Sequence, residues 1–155
     1  MPIRARTRLK ARCGDCGLEF GSPGCSDFEY GSAMFHGELG TVHAILESIG
    51  HPVFDLLVDV RNREFPGIEK YGELVFNACA HFADRVAGQD LRDVPAVCPR
   101  CFSSRPADWG GEEMGSIDVP AATFARFEAL PEKRRRWLAA RYFEAKVACG
   151  LNSIP

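Results

Sequence analysis

Two short stretches, Cys13-Gly14-Asp15-Cys16 and Cys98-Pro99-Arg100-Cys101, constrain this chain more than any other feature. Each is a C-x-x-C pair. Two residues between cysteines let a tight turn aim both sulfurs at one ion, and two such pairs supply the four thiolates of a tetrahedral zinc site. Gly14 and Gly17 allow the first turn, and Pro99 presets φ in the second. Iron accepts the same four ligands. A redox-active pair calls for a strand-to-helix context that neither stretch offers, and disulfides call for an exported protein. Zinc held by Cys13, Cys16, Cys98 and Cys101 is the leading reading.

The interval between the pairs is the anomaly. About 80 residues separate Cys16 from Cys98, far more than a compact site needs. Over residues 12–20 and 97–104 the two stretches resemble zinc-ribbon proteins. The resemblance implies two knuckles held side by side by short strands, with a long folded insert between them. The expected class is α+β in a single domain, 1–155. The ribbon halves are residues 3–24 and 95–119, the insert of β-hairpin and helices is 25–94, and the C-terminal helices occupy 120–150.

Composition permits that much structure. The chain has 155 residues, 46% of them hydrophobic, and its eleven phenylalanines suffice for a core. No apolar run reaches the length of a membrane span. The N-terminus lacks an apolar signal segment, and seven cysteines is an odd number; a reducing, cytoplasmic setting is expected. Net charge is −2, and the first twelve residues carry five basic side chains and no acid. Residues 13–155 therefore hold −7, the −2 less the +5 of the arm. A basic arm on an acidic body excludes a uniformly basic nucleic-acid binder and leaves the arm as one place for such contact.

Along the chain, Arg4, Arg6, Arg8, Lys10 and Arg12 alternate with Ile3, Ala5, Thr7, Leu9 and Ala11. Period two predicts a strand with one basic face, read as a solvated edge strand running into the first knuckle. Residues 18–20 continue the hairpin, 21–24 form a turn and 25–31 a short extended piece. Residues 32–36 and 41–47 flank Gly37-Glu38-Leu39-Gly40 and predict a β-hairpin. Pro52 starts a helix that ends near Arg61-Asn62-Arg63. Ile68, Tyr71, Val75, Cys79, Phe82 and Val86 predict a helix over 68–87 with Cys79 in the core. Residues 89–97 read as a linker, 102–111 as polar and turn-rich, 116–119 as a short strand and 120–130 as helical. Pro131 opens a last helix, with Leu138, Tyr142, Ala145 and Cys149 predicted as its inner stripe. Lys133 to Arg136 oppose that helix's dipole; solvation, Glu132 and an Arg141–Trp137 contact offset them. The four histidines, His36, His43, His51 and His81, show no ligand spacing.

Four thiolates close a tetrahedral ion, leaving no position for water or substrate, and no phosphate loop, H-E-x-x-H or G-x-S-x-G occurs. A non-catalytic protein is expected. The run Cys25-Ser26-Asp27-Phe28-Glu29-Tyr30-Gly31 after a knuckle is similar to small bacterial toxin-immunity proteins. That similarity implies a protein partner, a cognate toxin whose basic cleft an acidic body covers. Asp27, Glu29, Tyr30, Trp109, Arg134 and Arg135 are the candidate partner contacts. Trp109 is read either as cover for the metal site or as such a contact. Nucleic-acid binding through the arm and the 133–136 cluster is the alternative, and an enzyme built on Cys25 is the third reading.

Overall fold

The computed structural model describes residues 3–25, 30–67 and 71–149. Among these the chain is α+β, with two small antiparallel sheets and four helices. In chain order the elements are β1 (Ile3–Cys13), β2 (Glu19–Pro23), β3 (Ser32–Gly37), β4 (His43–Glu47), α1 (Pro52–Glu64) and α2 (Tyr71–Phe82). They are followed by β5 (Leu91–Arg92), β6 (Pro106–Pro120), α3 (Ala125–Glu128) and α4 (Glu132–Ala148). No helix among the described residues is long and apolar enough to cross a membrane.

The first sheet has the order β2-β1-β6, so the alternating basic strand lies in its centre and not at an edge. Opposite charge makes this possible. Lys10 pairs with Glu19 of β2 at 3.1 Å and lies 3.9 Å from Glu112 of β6, and Arg4 pairs with Glu47 of β4. β2 takes in Gly21, Ser22 and Pro23, which the sequence places in a turn; Pro23 is tolerated because β2 is an edge strand that needs no amide on its outer side. β6 is a fifteen-residue strand where the sequence indicates loop and a short strand. Register shifts against β1 between Thr7 and Ala11 fall where Gly110 and Gly115 adopt positive φ. Bulges of this kind break the alternation that marks a strand.

The second sheet, β4-β3-β5, contains the expected hairpin, with Ala33 opposite Leu46 and Phe35 opposite Ala44. Its two faces are both buried. Phe35, Ala44 and Leu46 join Leu57, Val60, Val75, Phe124 and Phe143 in the main core under the helices. Met34 and Ile45, on the opposite face, meet Val119 of β6 in a smaller core. The pleat alternates between these two environments.

The helices follow local rules with several shifts. Pro52 opens α1, and His51 Nδ1 accepts from the Val53 amide at 3.2 Å. α2 stops at Phe82, short of the expected residue 87: the Asp84 amide leaves the helical ladder to donate to Thr123 O at 2.8 Å, and Ala87 and Gly88 then turn the chain through positive φ between Val86 and Gln89. Cys79 is in the core as expected, and burial pushes its thiol up to about 12. Residues 68–70 and 150 lie outside the described residues. Between Pro120 and Leu130 only α3 is helical. On α4 the buried residues are Ala139 and Phe143; Leu138 and Tyr142 flank them, while Ala145 and Cys149 are exposed. Packing against α1 and the Phe65 ring selects this stripe, one residue on from the predicted one, so Cys149 is not a core residue.

Asp84 anchors the return from α2. Its Oδ2 accepts from the Thr123 hydroxyl at 2.9 Å and the Ala125 amide at 2.7 Å, and its Oδ1 from the Arg126 amide at 3.1 Å. Desolvation raises this carboxyl, but the Arg126 and Ala125 amides outweigh it and hold Asp84 below its ordinary value. Asp84→Ala is expected to cost about 2–3 kcal/mol, because amides of α3 lose a charged acceptor. The denaturant midpoint checks this, and an unchanged midpoint refutes the cap.

Candidate metal centre

Strand pairing brings the two C-x-x-C turns together. Cys13 is the last residue of β1 and Pro106 the first of β6, and the two are register partners. Each strand thus delivers one turn to the same end of the sheet. The turns are also copies of one another. The Gly17 amide donates to Cys13 O and the Cys13 amide to Leu18 O; the Phe102 amide donates to Cys98 O and the Cys98 amide to Ser103 O. A direct tie locks them side by side, with the Gly14 amide donating to Arg105 O at 2.9 Å. Arg105 Nη2 adds two contacts to the Asp15 carboxylate, at 3.0 and 3.1 Å.

The four sulfurs converge. Sγ atoms of Cys13 and Cys101 are 3.5 Å apart, those of Cys16 and Cys98 are 3.6 Å apart, and all four lie within 4.8 Å of one another. These are not disulfides, whose sulfurs are about 2.05 Å apart. A tetrahedron built on metal–sulfur bonds of about 2.3 Å has edges of about 3.8 Å. The set is therefore able to hold one metal ion. Amides of Asp15 and Cys16 point at Cys13 Sγ from 3.4 and 3.5 Å, favouring a thiolate there. The Cys16 amide, chief among these influences, holds the Cys13 thiol down to about 6. The Ser103 amide favours a Cys101 thiolate, but the neighbouring sulfurs prevail and push Cys101 up to about 12. Four thiolates this close repel one another, and a cation among them offsets that repulsion.

The hairpin turn of the insert is seated on the second knuckle. Gly40 has φ +73, and a Cβ there would lie 2.4 Å from Val97 O and 3.1 Å from Pro99 N. Gln89 fixes the same turn, accepting from the Leu39 amide at 3.0 Å and donating to Thr41 Oγ1 at 2.7 Å.

Beyond the four cysteines, the residues singled out in the sequence do not assemble into a site. Asp27 and Glu29 lie outside the described residues. Tyr30 is exposed, beside Ile49. Trp109 sits in β6 with its ring against Gly24, lining a cavity with Cys25, His36 and Asp93. Arg134 stacks over Trp137 at 4.4 Å, Arg141 lies over the same ring at 5.4 Å, and Arg136 bonds Asp59 and Glu132. Arg135 is half-buried.

One pair escaped the sequence reading. His36 and His43, register partners at the hairpin's end, are buried with their Nδ1 atoms 2.8 Å apart. Burial, chiefly, pushes both down from the ordinary histidine value, His36 to about 3 and His43 to about 4; the Arg8 charge adds to the shift of His43. The Pro95 carbonyl accepts from the His36 ring. The neutral pair is then satisfied when His43 Nδ1–H donates to His36 Nδ1. The hairpin pattern contains the signal: pairing residue 35 with 44 sets 36 against 43.

No protein-family model matches the chain, and no curated protein or solved structure matches it at a significant level.

Proposed function

We propose that the four thiolates hold one structural zinc ion, and that the chain is a non-catalytic, zinc-ribbon-like protein-binding module working in the cytoplasm. The observation carrying this reading is the convergence of four sulfurs from two equivalent turns. Four sulfurs complete a tetrahedral shell, so the ion polarises no substrate and acts through folding. Its role is to fix both ends of the long insert at one point. Iron fits the same donors, and metal analysis of the purified protein separates the two.

A protein partner is favoured over nucleic acid by the state of the basic side chains. Arg4 and Lys10 pair with carboxylates, and Arg134 and Arg136 are engaged on or beside α4. The remainder of the chain is acidic. Such a body steers toward a basic protein surface, as an immunity protein does toward its toxin.

The test is capture of the full chain from its native cells, with the metal bound. One protein is expected at one-to-one stoichiometry, with an association rate that falls as salt rises. Recovery of no stoichiometric partner refutes the module. Tight, steeply salt-dependent binding to a random DNA or RNA oligomer replaces it with the nucleic-acid alternative.

A further inference from the structure

The two knuckles repeat one turn with one difference. At the position after the second cysteine, the first knuckle has Gly17 at φ +75 and the second has Phe102 at φ +62. The left-handed region suits glycine, and a bulky side chain there strains the backbone. Gly17 therefore suits its backbone, and Phe102 departs from what the same backbone favours. Burial does not explain the phenylalanine: Phe102 is 47% exposed. A large ring is held at backbone cost and left open to water at the tip of the knuckle. Strained residues of this sort concentrate where a site must present a group.

Its surroundings define what the ring meets. Pro99 and Arg100 are exposed on the same turn, and Arg100 has no ion pair among the described residues. Leu39, 43% exposed, projects from the hairpin turn that packs on this knuckle through Gly40. An aromatic anchor beside an arginine is the composition of an interface centre. Resting on the protein-binding reading above, we propose that the second knuckle is the docking point, with Phe102 as its anchor. The partner is a protein that offers an apolar socket with a carboxylate on its rim, the socket taking the Phe102 ring and the carboxylate pairing with Arg100. The acidic body governs approach over long range, and the knuckle governs the local fit.

The test separates anchor from scaffold. Phe102→Gly in the metal-loaded protein is expected to raise Tm by about 2–4 °C, because glycine relieves the strain, and to leave the metal stoichiometry unchanged. A photo-crosslinking phenylalanine analogue at position 102 is expected to capture one protein in native cells, and the same analogue at position 17 none. That captured protein, purified, is expected to bind Phe102→Gly at least about thirtyfold more weakly than the parent chain, with Arg100→Glu also weakened.

A fall in Tm or in metal content for Phe102→Gly overturns the proposal, since the ring then serves the knuckle itself. Equal affinity of parent and Phe102→Gly for the captured protein overturns it too, as does an absence of crosslinks from position 102. If the full chain still recovers a one-to-one partner in any of these cases, the module stands and only the docking point is lost.

Discussion

Removing the metal with a strong chelator, or replacing Cys98 with serine, is expected to unfold at least the β1, β2 and β6 sheet and its two turns. Structural zinc sites contribute an apparent 10–16 kcal/mol or so at neutral pH, comparable to the whole stability of a domain. Here the site also joins residues 82 apart, Cys16 and Cys98. Releasing them restores to the unfolded chain the freedom of a long loop, an effect of about 4 kcal/mol for a cross-link of this span. Circular dichroism and thermal unfolding with and without chelator, beside metal content per chain, give the result. A purified chain with no stoichiometric metal, or an apoprotein with unaltered Tm, refutes the metal centre.

Acid is expected to weaken the fold through the histidine pair before carboxylates become important. His36 and His43 are neutral when folded, pushed down to about 3 and about 4, whereas an unfolded histidine takes up its proton near 6.5. The unfolded state therefore binds more protons below that point, and stability falls with pH. The contribution is fully present above about 6.5 and is lost as pH drops toward 4 and then 3. At pH 5 the two groups together remove about 3–4 kcal/mol relative to pH 7. His51 and His81 are shifted down as well, chiefly by desolvation, and act in the same sense. For His43, burial is the main cause and the nearby Arg8 charge adds to it. Denaturant melts at pH 7 and pH 5, with metal content followed in parallel, measure the loss. In His36→Phe/His43→Phe the pH 7 to 5 decrement is expected to shrink by most of that amount. An identical decrement in parent and double variant contradicts the buried neutral pair.

The parts of this architecture that the sequence made legible are those dictated locally. The cysteine turns follow from short spacing and glycine or proline at fixed offsets, and the β3–β4 hairpin from its turn residues. Pro52 marked the start of α1. What stayed hidden depends on distant neighbours. β6 is stabilised by β1, and its glycine bulges erase the alternation that announces a strand. The stripe of α4 is set by α1 and Phe65, which is why Cys149 is exposed though its spacing suits a core. β1 has the alternating charges of an edge strand, yet Glu19 and Glu112 let it occupy the centre. At the candidate metal centre, the four cysteines that converge were evident from spacing. The Gly14–Arg105 tie and the Gly17–Phe102 equivalence emerge only when the two turns stand together.

The four cysteines differ in their exposure. Cys13 and Cys98 are buried, whereas Cys16 and Cys101 are exposed. Were an ion held there, an oxidant or electrophile would meet the Cys16 and Cys101 side of the site before the buried pair. Alkylating Cys16 or Cys101 would then remove one of the four sulfurs on which a bound ion depends, leaving the interior of the chain untouched.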